Sequence, residues 1–345
     1  MQDTPQLSAA KRALLEQYLN GRNTTQVAQA LRQQSDKEIV RPISPLLAFH
    51  TSGSRRPFFF LHGDYRDHPL WCLTMAEDLG PDQPFYALEP EKLESLVAPS
   101  FEEHAAAHLK WVRTVQPEGP YLIGGWCGGA LLSYEMARQL RAEGQAVDLL
   151  VLMEPPLIPK STRLLRSLIG WLGPYMRFGA DIQLDWFLGL RQRYFHAREG
   201  LRYLYRSLRR AQHIHPQGIA RSATAGLRKG LSWLHRSARL FGAKGERYEV
   251  RIKRPRDDYL EIYTWMAANY RIYPHVGTAA LLWSRGEFDR RVKVVREWCR
   301  VAQGAEVRVI RGTLTTCRTD HVHELAAHLH ACLSQVNSAM ARQSS

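Results

Sequence analysis

Tyr121-Leu122-Ile123-Gly124-Gly125-Trp126-Cys127-Gly128-Gly129-Ala130 passes from a short apolar run, through a G-x-C-x-G pentapeptide, into a helix-forming run that reaches Leu140. Strand, tight turn and helix in that order predict a nucleophile elbow centred on Cys127. So sharp a turn needs small residues two before and two after its centre, because a side chain at either place collides with neighbouring backbone. Gly125 and Gly129 meet that need. The turn sets the thiol at a helix N-terminus, where free N–H groups and the positive dipole end are expected to lower its pKa. The competing reading is a glycine-rich turn in which Cys127 only packs.

Upstream, Pro57-Phe58-Phe59-Phe60-Leu61-His62-Gly63-Asp64-Tyr65 reads as a buried strand running into a loop. In this architecture that loop supplies one of two backbone N–H groups that hold an oxyanion, here the N–H of Asp64; the other belongs to Gly128. Downstream, Val147 to Met153 is a further apolar strand ending on Glu154, which places a carboxylate on the edge where ligands bind open α/β sheets. From Pro57 to Met153 strand-like and helix-like runs alternate, and Ser100-Phe101-Glu102-Glu103 forms a capping box at the start of one helix. The alternation predicts a parallel sheet with helices on both faces. Beyond Glu154 the pattern reads as amphipathic helices, for example over residues 185–210. Strand signals return at residues 278–284 and 305–310, and a last helix is expected over 320–333.

The 345 residues, 45% of them hydrophobic, suffice to bury a large core. No run of eighteen apolar residues occurs, and Met1-Gln2-Asp3-Thr4-Pro5 lacks the basic and apolar regions of a signal peptide. A soluble, cytoplasmic protein with no membrane span is therefore expected. Five cysteines without a C-x-x-C pair argue against a disulfide framework and against a zinc site. Neither a metal nor a resident cofactor is expected. The net charge of +14 is concentrated: residues 157–256 hold 22 Lys plus Arg and 5 Asp plus Glu, or +17, which leaves −3 for the rest. A docking face for an acidic carrier protein, recognition of phosphates, a membrane or nucleic-acid surface and simply solvated helices all fit that charge. No nucleic-acid recognition motif accompanies it, so no specific nucleic-acid partner is expected.

His62-Gly63-Asp64-Tyr65, the run from Gly119 to Ala130, and Tyr134-Glu135-Met136-Ala137-Arg138-Gln139-Leu140 resemble the thioesterase domains that close nonribosomal peptide and polyketide synthases. The resemblance extends from about residue 45 to 335 and implies an α/β-hydrolase fold. Such a fold has a mostly parallel central sheet, helices on both faces and, here, a large helical lid insertion. Cys127 falls on the family's nucleophile, usually Ser and in some members Cys. Glu154, twenty-seven residues on, falls on its acid, usually Asp. Phe85-Tyr86-Ala87-Leu88, Trp298 and the segment His321-Val322-His323-Glu324-Leu325-Ala326 also match the family's pattern. One position departs from it. The family's histidine follows the last strand in a Gly-x-His segment, whereas this chain has Gly312-Thr313-Leu314, so Leu314 occupies the usual base position. His321 matches a second family histidine at the start of the final helix and is the candidate to stand in.

The expected division is an N-terminal helical arm over 1–44, hydrolase core over 45–156, a basic helical lid over 157–272, the rest of the core over 273–335 and a tail over 336–345. The resemblance implies a hydrolase or acyltransferase working through an acyl-cysteine on thioesters of an acyl or peptidyl carrier protein or of coenzyme A. Any phosphopantetheine would arrive with the substrate. Aminolysis cleaves a thioester more readily than an oxygen ester, so transfer or ring closure stands beside hydrolysis. A missing histidine threatens the second half-reaction more than the first, because a thiol is partly ionised at neutral pH and water is not. The alternative is a degenerate, non-catalytic hydrolase fold that binds acyl chains or a synthase partner.

Overall fold

Side chains of Phe58, Phe59, Phe60 and Leu61 are all buried, and so is every residue of the strand from Tyr121 to Trp126, which marks strands covered on both faces. The structure is a computed structural model and describes residues 45–63, 70–89, 100–211, 259–275 and 277–343. The expected arm over 1–44 lies outside that range, as do residues 344–345 of the expected tail, whose residues 336–343 continue the last helix instead. Among the described residues seven strands form one sheet: β1 (Leu46–Phe49), β2 (Phe58–Leu61), β3 (Phe85–Leu88), β4 (Tyr121–Trp126), β5 (Val147–Met153), β6 (Ala279–Ser284) and β7 (Glu306–Ile310). Their order is β1-β3-β2-β4-β5-β6-β7. Only β1 runs antiparallel to its neighbour; the other pairs are parallel. This is the mostly parallel sheet of an α/β-hydrolase fold.

The helices of this sheet unit are α1 (Leu70–Leu79), α2 (Phe101–Val115), α3 (Gly128–Ala142), then α7 (Arg285–Arg290), α8 (Val292–Val301) and α9 (Val322–Gln343). Helix α2 starts directly after Ser100, as its capping box predicts, with Glu102 and Glu103 beside the positive dipole end. One face of the sheet carries Phe58, Phe60, Leu122, Trp126, Leu149, Val151, Met153, Ala280 and Leu282, which share a core with α1 and α9. On strands with period two the alternate residues face the other way, where α3 lies against β2, β4 and β5 and α2 packs on α3. Helices therefore cover both faces.

The chain divides into two compact units, and residues 158–270 belong to the second. Its described helices are α4 (Lys160–Met176), α5 (Ala180–Ala211) and α6 (Tyr259–Asn269), which pack on one another. Phe187 meets Trp265 edge-on, Arg166 stacks on Trp265 with 3.5 Å from its guanidinium carbon to the ring centre, and Arg191 pairs with Glu261. Helix α4 leaves Leu164, Leu168, Trp171 and Tyr175 exposed; spacings of four, three and four residues put them on one stripe. No helix among the described residues is long and apolar enough to cross a membrane.

Candidate active site

Strand β4 ends at Trp126 and α3 begins at Gly128, so the whole reversal from strand to helix falls on Cys127. Its backbone has φ 48° and ψ −115°, a conformation that side chains rarely adopt and that must be held by its surroundings. The Cys127 N–H donates to the Met153 carbonyl at 2.8 Å and ties the elbow to the end of β5. Close backbone approach does the rest. A methyl group on Gly125 would stand 2.5 Å from the Gly129 carbonyl carbon, and one on Gly129 would stand 2.2 Å from the Leu61 oxygen. Gly63, at φ 62°, would put a methyl group 2.0 Å from the Trp126 oxygen. Three glycines thus lock β2, the loop after it and the elbow into contact. Gly129→Ala is expected to cost at least about 1–3 kcal/mol, the range for overpacking against atoms that cannot give way, read as a lower melting temperature.

The thiol itself differs from the sequence expectation. The Gly128 N–H bonds to the sulfur, and Arg291 and Arg318 favour the thiolate, but burial outweighs them and pushes the Cys127 pKa up. Desolvation disfavours the charged form more than one helix end favours it. The residue keeps partial solvent contact.

Glu154 follows the last residue of β5 and is itself at φ 51°. It is 2% exposed. Its Oε1 accepts the Ser284 N–H at 2.6 Å, at the C-terminal end of the neighbouring strand β6. Burial pushes the carboxyl up to about 7, with Glu287 adding in the same direction, while Ser284 and Arg291 pull it down. The Ser284 hydroxyl acts there through its proximity, since it forms no well-aligned hydrogen bond. Oε2 has no hydrogen-bond partner among the described residues. Glu287 is buried and bridged by Arg290 and by Arg291, whose Nε lies 2.5 Å from Oε2 of Glu287.

Leu314 sits in the turn after β7, partly buried, against the same core cluster that Cys127 joins. Thr313 and Thr316 close that turn through their hydroxyls and N–H groups. Cys317 is buried, its Sγ donates to the Leu314 carbonyl at 3.4 Å, and burial, followed by the Glu154 charge, pushes its pKa up to about 12. Arg318 places its guanidinium over the rings of Trp126 and Trp71, at 5.4 and 5.7 Å from the ring centres. His321 packs its ring against Gly312, where a methyl group would stand 2.6 Å from Cδ2. Its N–H donates to Thr316 O and its carbonyl accepts from Leu325.

The structure therefore gathers Cys127, Gly128 and Glu154 at the C-terminal edge of the sheet and packs Leu314 against the core cluster that Cys127 also meets. His321 is joined by its described contacts to Gly312, Thr316 and Leu325 and to neither Cys127 nor Glu154. Asp64 lies outside the described residues. Ser284, Glu287, Arg291 and Arg318 were not singled out in the sequence. They lie far along the chain from Cys127 and Glu154, in the segment 284–291 and at 318, and no local motif marks them. Among the described residues no group of three or more His, Cys, Asp or Glu side chains is placed to hold a metal ion.

Residues 74–163 match the family model described as "Thioesterase domain". Orsellinic acid synthase of Emericella nidulans is 44% identical over 81 residues, 22% of this chain and 4% of that protein. A dimodular nonribosomal peptide synthase of Bacillus subtilis is 34% identical over 112 residues, 32% of this chain and 5% of that protein. Each match thus spans a small fraction of the relative's length. A solved four-domain nonribosomal peptide synthetase, bound to AMP and glycine, superposes with a TM-score of 0.50 and 16% identity. The superposition covers 88% of this chain and 21% of that one, and shows a shared fold. The resemblance to the thioesterase domains of nonribosomal peptide and polyketide synthases is carried by these sequence matches.

Proposed function

We propose that this chain, thioesterase-domain-like over residues 74–163, moves acyl groups from carrier-protein or coenzyme A thioesters through an acyl-Cys127 intermediate in secondary metabolite biosynthesis. The observation that carries this reading is the elbow, where a strained Cys127 is clamped by Gly63, Gly125 and Gly129 at the ligand-binding edge of the sheet. A residue that merely packs does not require a backbone conformation that costs of order 1–3 kcal/mol.

In the proposed reaction the Cys127 sulfur attacks the thioester carbonyl carbon. The oxygen that gains the charge is received by the Gly128 N–H and, on the sequence expectation, by that of Asp64. Collapse expels the carrier thiol and leaves acyl-Cys127, which water, an amine or a hydroxyl then releases. Arg291 and Arg318 supply positive potential at the sulfur. The test is the intact mass of the protein after incubation with acyl thioesters, in which a gain equal to the acyl group supports the reading.

The non-catalytic reading has its own observation. On the sequence expectation Leu314 takes the base position, and burial holds the Cys127 thiol up, both of which slow an acyl-enzyme cycle. No adduct with any acyl thioester would favour it.

The partner is proposed to be an acidic carrier domain, drawn by the +17 of residues 157–256 and met by the apolar stripe of α4. Arg198 and Arg202 are exposed and one helical turn apart on α5. Their joint reversal to Glu is expected to slow association several-fold at low salt. Raising ionic strength to ~0.15 M, where the screening length is about 8 Å, should shrink the difference. Association rates of the two proteins with a carrier domain, across a salt series, check this.

A further inference from the structure

A carboxylate that only orients a histidine has no task where the base position is a leucine, yet Glu154 is buried and held. Its Oε1 is fixed by the Ser284 N–H, and Oε2 is left without a hydrogen-bond partner among the described residues. An unsatisfied buried carboxylate oxygen is costly, and accepting a proton relieves the cost. The parallel register of β4 and β5 sets Trp126 opposite Met153, so Cys127 and Glu154 leave adjacent strand ends side by side. The two groups also act on each other electrostatically. We propose that Glu154 itself takes the Cys127 proton, directly or across one water, so that the site works as a cysteine–glutamate dyad without histidine. The inference rests on the reading of Cys127 as nucleophile.

The proton ledger closes without a further group. The S–H bond breaks and an O–H bond forms on Glu154 as sulfur attacks the thioester carbon. When the tetrahedral intermediate collapses, the C–S bond to the carrier breaks and the departing thiolate takes that proton. In hydrolysis, water gives a proton to Glu154 as its oxygen attacks acyl-Cys127. The C–S bond to Cys127 then breaks, and its thiolate recovers the proton.

The surroundings suit this role. Burial holds the Glu154 carboxyl at about 7, so that it is partly ionised at neutral pH and a far stronger base than an ordinary carboxylate. Glu287 raises it further and Arg291 opposes. On the other side stand Cys317, whose thiol the Glu154 charge helps to push up to about 12, and Arg318, which acts on both thiols. Cys317 is thus protonated across the neutral range and does not compete. Because Cys127 and Glu154 share protons, their titration belongs to the pair.

Glu154→Gln separates the proposal from simple electrostatics, because the two predict opposite signs. The Glu154 charge raises the Cys127 pKa, so if it acts only through its field, its removal lowers that pKa and speeds alkylation. If Glu154 is the proton acceptor, its removal slows alkylation. The experiment measures iodoacetamide modification of Cys127 by peptide mass mapping from pH 5 to 10, with exposed Cys299 as reference in the same sample. In the unaltered protein the rate is expected to climb through a step near pH 7, where the pair loses its first proton. In Glu154→Gln that step is expected to vanish, with at least about a tenfold loss at pH 7.5. Glu154→Asp, which keeps the carboxylate, should retain the step at reduced amplitude.

Unchanged or faster alkylation of Cys127 in Glu154→Gln overturns the proposal. If that variant does not fold, the unaltered protein decides alone: a profile with no step near pH 7 overturns the proposal too. Incubation with acetyl and octanoyl thioesters of N-acetylcysteamine separates the two readings. A Glu154-dependent step without any acyl adduct removes the proposed function and leaves the dyad standing. Acyl-Cys127 formation that is indifferent to Glu154→Gln does the reverse.

Discussion

Leu314→His is expected to raise the rate of acyl-Cys127 breakdown by about 10² to 10⁴, the usual contribution of a positioned general base. Leu314 lies against the same core cluster as Cys127, in a turn held by Thr313 and Thr316, so the imidazole enters a position that is already shaped. On the expected triad arrangement Glu154 orients that imidazole through Oε2, which has no hydrogen-bond partner among the described residues. An imidazolium beside it would draw its pKa down from about 7, because an opposite charge favours the carboxylate. The gain belongs to deacylation, since water needs a base more than a thiol does. Single-turnover measurement of acyl-enzyme decay, separate from its formation, checks the assignment. His321→Ala is the companion variant and should change little, because the described contacts of His321 run to Gly312, Thr316 and Leu325. Loss of turnover in His321→Ala with no gain in Leu314→His would make His321 the working base.

Cys127→Ala should eliminate the acyl adduct altogether. No other cysteine shares its setting: Cys72, Cys317 and Cys332 are buried, and exposed Cys299 lies in α8, away from any elbow. The substitution removes one partly exposed sulfur and keeps the backbone N–H bond to Met153, so the melting temperature should move little. Adduct mass in the intact protein and its absence in the variant give the measurement. Total iodoacetamide labelling is less telling, because Cys299 is exposed and competes for the reagent. An adduct that survives Cys127→Ala would place the nucleophile elsewhere.

The G-x-C-x-G turn, the apolar strands around it and the alternation of strand and helix were enough to predict an elbow on a parallel sheet with helices on both faces, because each is a local requirement, while the α/β-hydrolase fold was implied by the family resemblance. Small residues flank a sharp turn, and strands covered on both faces are continuously apolar. Boundaries moved: the final helix spans Val322–Gln343 where 320–333 was expected, running ten residues on through most of the expected tail, and the helix exemplified by 185–210 runs over Ala180–Ala211. The reason that Gly63 must be glycine was not legible, since it depends on contact with the Trp126 carbonyl sixty-three residues on. The thiol pKa was misjudged for a related reason. The helix end acting on Cys127 is local and visible in sequence, whereas burial is the sum of distant packing and proved stronger.

Sequence by itself determined the elbow, the carboxylate after β5 and the leucine after β7, each from residue type and spacing along one segment. Only the tertiary structure decided what surrounds them. The β5–β6 register brings the Ser284 N–H to Glu154, helix α7 directly after β6 brings Glu287 and, at its C-terminal end, Arg291, and the loop after β7 brings Arg318 to Trp126. Charges and hydrogen bonds from two segments, one after β6 and one after β7, set the ionisation of the site. Solvent exclusion and electrostatic coupling depend on distance in space, which a one-dimensional pattern does not contain.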